Sequence, residues 1–90
     1  MLALNSRQRK TLERIYAEPT RSDVTWPEVR ALLEACGAII KEGRGSRVRI
    51  QVGAVMLNMH TPHPQKEMKK YMVELAREFL TKIGVGPERE

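Results

Sequence analysis

Residues 42–64 read EGRGSRVRIQVGAVMLNMHTPHP. After the turn Gly43-Arg44-Gly45-Ser46, polar and apolar residues alternate through Arg47, Val48, Arg49, Ile50, Gln51 and Val52. Gly53 breaks the run, and a second alternation leads from Val55 to His60. A period of two is that of a half-buried strand. Val48, Ile50 and Val52 then share one face, with Arg47, Arg49 and Gln51 on the other. In the second strand Val55, Leu57 and Met59 oppose Met56, Asn58 and His60. A two-stranded hairpin is marginal alone, so helices must cover its apolar face. The other face carries arginines and a histidine, and function is expected there.

Working outward, Ala38-Ile39-Ile40-Lys41 reads as a short strand before the glycine-arginine turn, which gives three strands in an antiparallel meander. Upstream, Thr25-Trp26-Pro27-Glu28 is a capping box with proline in the first turn. Val29, Leu32, Leu33 and Cys36 follow at helical spacing, and Gly37 supplies the stop. Cys36 reads as a small core residue. A further helix is expected over residues 5–18, capped by Asn5 or Ser6 with Gln8 as a capping-box partner and ended by Glu18-Pro19. Its apolar stripe (Leu12, Ile15, Tyr16) is narrow, so the helix is expected to lie across the domain rather than inside it.

Downstream, His63-Pro64 marks a helix start, and Met68, Met72, Leu75, Phe79 and Ile83 predict its buried face, with Gly84 at the end. Lys66, Lys69 and Lys70 cluster at that start, where free amides and lysines together suit a phosphate. The predicted architecture is therefore α+β: an α-β-β-β-α core over residues 25–85, helices on one face of a three-stranded antiparallel sheet, plus the N-terminal helix. Double-stranded-RNA-binding domains have the same order. Residues 1–90 make a single domain, with fraying expected at Met1–Leu4 and Gly86–Glu90.

The balance of 16 Lys+Arg against 11 Asp+Glu, a formal net charge of +5, suits a polyanion such as nucleic acid. One cysteine excludes a disulfide framework and a cysteine-based zinc site within the chain. Apolar runs fall far short of the roughly 18 residues of a membrane span, and no signal peptide is legible, so a cytoplasmic location is expected. Aromatic content of 4% leaves few rings for base stacking, so single-strand binding on a stacking platform is not expected, and phosphate and shape contacts along a groove fit better.

Taken together, four features resemble the HicA toxin family: a helix ending in Cys36-Gly37-Ala38; the turn Gly43-Arg44-Gly45-Ser46 opening a strand; Pro62-His63-Pro64 after the last strand; and Lys66-Glu67-Met68-Lys69-Lys70 leading to Lys82-Ile83-Gly84. The resemblance covers roughly Trp26 to Val85. It implies a type II toxin-antitoxin protein of double-stranded-RNA-binding-domain-like fold, an mRNA-cleaving ribonuclease (mRNA interferase) restrained by a HicB-type antitoxin. The family places its catalytic histidine directly after Gly-Ser or one position later; here those positions hold Arg47 and Val48. The helix over Ser6 to Ala17 is also additional.

Metal-independent RNA cleavage needs a base, an acid and cations to stabilise the phosphorane. His60 and His63 are the available imidazoles, so either is the candidate catalytic residue if the protein cleaves, with a pH optimum near neutrality. Arg44, Ser46, Arg47, Arg49, Lys66, Lys69 and Lys70 are the candidate RNA-binding residues. His60 joins Arg47 and Arg49 only if the hairpin register brings it to their face. Two histidines without a third ligand at a telling spacing make a poor metal site, and no metal or other cofactor is expected. Ser46 has no base beside it, and the glycine turn lacks the Gly-Lys-Ser/Thr ending of a P-loop. Without the strand histidine, the alternative is a catalytically inactive HicA-like module that binds RNA or protein.

Overall fold

A computed structural model describes residues 3–87. Its elements are α1 (Ser6–Ile15), α2 (Trp26–Ala35), β1 (Ile39–Glu42), β2 (Arg47–Val52), β3 (Val55–His60) and α3 (Lys70–Lys82). The strands pair antiparallel in the order β1-β2-β3. The α+β order α-β-β-β-α with one preceding helix is therefore the fold that the periodicities predict.

Each helix begins and ends for a local reason. At α1 the Asn5 Oδ1 accepts from the Gln8 amide at 2.8 Å, and the Gln8 Oε1 accepts from the Asn5 amide at 3.0 Å. That reciprocal box satisfies two otherwise unpaired donors. At α2 the Glu28 carboxylate accepts from both the amide and the hydroxyl of Thr25. Desolvation pushes the Glu28 carboxyl up, but the Thr25 donors and the Arg14 guanidinium outweigh it and leave its pKa below the ordinary value. Both α2 and α3 close with the same motif. Gly37 (φ 90°) and Gly84 (φ 80°) adopt the left-handed conformation. The next amides, Ala38 and Val85, then reach back to the carbonyls of Leu33 and Leu80 at 3.0 and 2.9 Å. Cys36, at the α2 terminus, is half-buried against the core, and burial pushes its thiol pKa up.

The apolar faces meet in one cluster. Val29, Leu32 and Leu33 of α2, Val48 and Ile50 of β2, and Met59 of β3 are buried together with residues of α1 and α3. Three expectations need correction here. First, α1 stops at Ile15, before Glu18-Pro19, because tertiary partners take over its terminus. The Arg77 guanidinium donates to the carbonyls of Ile15 (2.9 Å) and Ala17 (3.2 Å) and to the Glu18 carboxylate (2.9 Å). The Tyr16 hydroxyl donates to the Val85 carbonyl at 2.7 Å. Second, Leu4 does not fray: α1 lies across the domain as expected, but its narrow stripe and the leucine before it reach the core. Leu12 and Ile15 are completely buried and Leu4 is only 4% exposed. Met1, Leu2 and residues 88–90, also expected to fray, lie outside the described residues.

Third, the last helix begins at Lys70 rather than just after Pro64. Residues 66–68 are instead drawn beside the start of α2. Trp26 donates its amide to the Lys66 carbonyl at 2.9 Å, and Met68 donates to the Val24 carbonyl at 2.8 Å. Met68 is buried from this extended segment, not from a helical stripe. The buried face of α3 is Met72, Val73, Ala76, Phe79 and Leu80, with Leu75 and Ile83 only half-buried. Packing against both β3 and α1 demands an apolar face wider than the single predicted row.

Candidate nucleic-acid interface

The sheet face turned away from the helices is built by the β2–β3 hairpin. Its two strands are joined by Gly53 and Ala54, and Gly53 takes φ 57° at the first loop position. A positive φ there is what a two-residue turn matching the strand twist requires. This short loop sets the register: Arg47 opposes His60, Arg49 opposes Asn58, and Gln51 opposes Met56. On β1, Lys41 opposes Arg49 and Ile39 opposes Gln51. The open face therefore consists of three rows: Arg47–His60, then Lys41–Arg49–Asn58, then Ile39–Gln51–Met56.

The condition on which the sequence reading depended is met: His60 shares the face of Arg47 and Arg49. Directly opposed side chains have Cβ atoms about 5 Å apart, so Arg47 and His60 can address one phosphate. At the same end, the glycine-arginine turn folds tightly. Gly43 donates to the Arg47 carbonyl at 2.8 Å and Arg47 donates to the Arg44 carbonyl at 3.3 Å, with Gly45 at φ 65°. Pairing then runs one step further, as the Thr61 amide donates to the Ser46 carbonyl at 2.7 Å.

The result is a cleft of about 480 Å³ lined by Lys41, Arg44, Arg47, Arg49, Asn58 and His60, among others. Glu42 also lines it, but its carboxylate is held by Arg30 of α2. That carboxylate raises the Arg30 pKa above its ordinary value. The lining thus presents fixed cations and an imidazole, with its carboxylate already paired. Arg49 is steadied by donating from Nε to the Asn58 Oδ1 at 3.3 Å. A second hollow, bordered by Arg7, Lys10, Glu13, Arg14 and Glu28, mixes both signs, and Arg14 is committed to Glu28.

Of the predicted site residues, Arg44, Arg47, Arg49 and His60 come together in the cleft. Ser46 is half-buried in the turn and contributes its carbonyl to structure. His63 is exposed and outside the cleft lining, as are Lys66, Lys69 and Lys70. The three lysines do not share a helix start: Lys66 is in the extended segment, Lys69 is the N-cap and Lys70 is the first residue of α3. Lys41 and Asn58 join the cleft without having been singled out as site residues. The alternation that placed His60 outward also placed Asn58 outward, and Lys41 follows from the β1 register. Among the described residues, no group of three or more His, Cys, Asp or Glu is placed to hold a metal ion. Nor is any helix there long and apolar enough to cross a membrane.

Comparison with known proteins returns one family. Its model, described as the HicA toxin of bacterial toxin-antitoxin, matches residues 26–85, more than half of the chain. No curated protein and no solved structure matches the chain. The matched span starts at the first residue of α2 and ends at the buried Val85, so it contains the whole sheet and the cleft and leaves out α1. The chain belongs to the HicA family of toxins of bacterial toxin-antitoxin systems.

Proposed function

We propose that this toxin binds RNA in the basic cleft and cleaves mRNA without a metal or other cofactor. In this reading it acts in the cytoplasm and is neutralised there by a HicB-type antitoxin. The observation that supports the reading is the cross-strand pair Arg47–His60, which sets an imidazole beside a fixed cation on an open basic face. In the reaction the substrate 2′-oxygen bonds to phosphorus as His60, in its neutral form, takes the hydroxyl proton. The bond from phosphorus to the 5′-oxygen breaks, and that oxygen takes a proton from water. A cyclic 2′,3′-phosphate and a 5′-hydroxyl result. Arg47 and Arg49 offset the charge that builds on the phosphorane. Arg47 cannot act as the base, because a guanidinium stays protonated.

The test is incubation of the purified chain with RNA, with and without chelator. Cleavage unaffected by chelator is expected. Intact RNA with binding preserved favours the alternative, a module that binds without cutting, which the replacement of the family's strand histidine by Arg47 supports. Binding itself is expected to weaken steeply with salt. Arg47→Ala with Arg49→Ala should reduce affinity for all sequences alike. For a single strand, losing two phosphate contacts makes the negative slope of log K against log salt shallower by about 1.4. An unchanged slope and affinity in the double variant rule out these arginines as phosphate contacts.

The antitoxin is expected to cover the same face with acidic groups, because like placement of opposite charge speeds association. The toxin–antitoxin association rate should fall as salt rises, and Arg47→Glu with Arg49→Glu should slow it further. Association that is indifferent to both salt and these reversals would place the antitoxin elsewhere on the domain.

A further inference from the structure

The third row of the open face has no part in phosphate chemistry. Ile39 is 63% exposed and Met56 is 46% exposed, and they flank Gln51 across the three strands. Two strand spacings separate them by about 10 Å. Beside them the two amides are held in opposite senses. Gln51 donates its Nε2 to the Gly53 carbonyl at 3.0 Å, which leaves its Oε1 to accept. Asn58 accepts on its Oδ1 from Arg49, which leaves its Nδ2 to donate. Apolar surface with an adjacent acceptor and donor matches a nucleobase: a flat face to cover and an edge to pair. Four residues along the strand, about 13 Å, separate this row from Arg47–His60. The base addressed is therefore that of a neighbouring nucleotide, not the one whose phosphate lies at His60.

We propose that this row is a base-reading subsite for single-stranded RNA, resting on the RNA-binding reading above. Ile39 and Met56 support the face of one unpaired base, and Gln51 and Asn58 read its edge. The cationic rows on the same face choose the occupant, since a polyanion held by Lys41, Arg47 and Arg49 must continue across this one. A duplex is a poor fit, because its outer surface is phosphate and ribose and its base faces are stacked inside. The low aromatic content of the chain does not prevent the contact, because aliphatic and thioether side chains supply the surface instead of rings.

The experiment uses the full chain and short single-stranded 2′-O-methyl RNAs, which lack the attacking hydroxyl, with one abasic position moved along the strand. Anisotropy titration should show one position at which losing the base weakens binding about fivefold or more, the effect of covering roughly 40 Å² of apolar surface. Ile39→Ser with Met56→Ser, both exposed and checked for folding by circular dichroism, should remove that position-specific penalty. Gln51→Ala or Asn58→Ala should shrink the difference among the four bases at that position. Equal penalties at all positions, or a penalty that survives in the Ile39/Met56 double variant, overturn the subsite and leave the RNA-binding reading standing. The absence of any RNA binding overturns both. Unchanged RNA binding by the double variant, together with lost antitoxin binding, assigns the row to the protein partner and also overturns the subsite.

Discussion

Replacing His60 with glutamine is expected to lower the rate of RNA cleavage by about a hundredfold or more, the range over which a positioned acid–base group acts. The substitution keeps an exposed polar side chain at the end of β3, so folding and RNA affinity should change little. His63→Gln should have a much smaller effect, because that ring lies outside the cleft lining. The sharper test uses the register. Arg47 and His60 are directly opposed on one face, so exchanging them as Arg47→His with His60→Arg moves the imidazole only across one strand spacing, about 5 Å. The exchanged protein should recover part of the activity lost in His60→Arg alone. It also places a histidine directly after Gly45-Ser46, where the family's motif carries one. Full cleavage by His60→Gln would remove His60 from the chemistry. If His63→Gln were the damaging change, the active centre would lie beyond β3, outside the cleft.

The sheet was legible because its alternation is strict and its turn residues are glycines. Val48 and Ile50 inward with Arg47 and Arg49 outward follows from period two alone. The pairing of Arg47 with His60 was not legible at that level, since it depends on the loop at Gly53-Ala54 being just two residues long. The start of α3 was misplaced for a different reason. Lys66, Glu67 and Met68 all favour a helix by propensity, but the bonds from the Trp26 amide to the Lys66 carbonyl and from the Met68 amide to the Val24 carbonyl hold them extended. Arg77 lies off the predicted apolar row of its helix, yet it closes the end of α1 by donating to Ile15, Ala17 and Glu18, all distant in sequence. Long-range polar contacts of this kind leave no periodic trace. The same holds for Arg30, which removes Glu42 from the balance of charge in the cleft.

The depth of α1 leads to the second large effect. The family match begins at Trp26, and α1 alone is polar enough to pass for an appendage. Its apolar residues Leu12 and Ile15 are nevertheless fully enclosed, and Leu4, just before it, is nearly so. Leu12→Ala is expected to cost about 2–5 kcal/mol through lost burial and a residual cavity. In a domain of this size each kcal/mol lowers the melting temperature by about 4–8 °C, so a fall of at least about 8 °C should appear in a thermal melt. Removing residues 1–19 should do more. It strips Leu4, Leu12 and Ile15 from the core and leaves the Arg77 guanidinium without the acceptors at Ile15, Ala17 and Glu18. That loss is comparable with the whole stability of a small domain, about 5–15 kcal/mol. The truncated chain is therefore expected to be unfolded at room temperature, although it retains all of the matched segment. A shortened protein that melts cooperatively at the parent temperature would show that α2, α3 and the sheet close a sufficient core without α1.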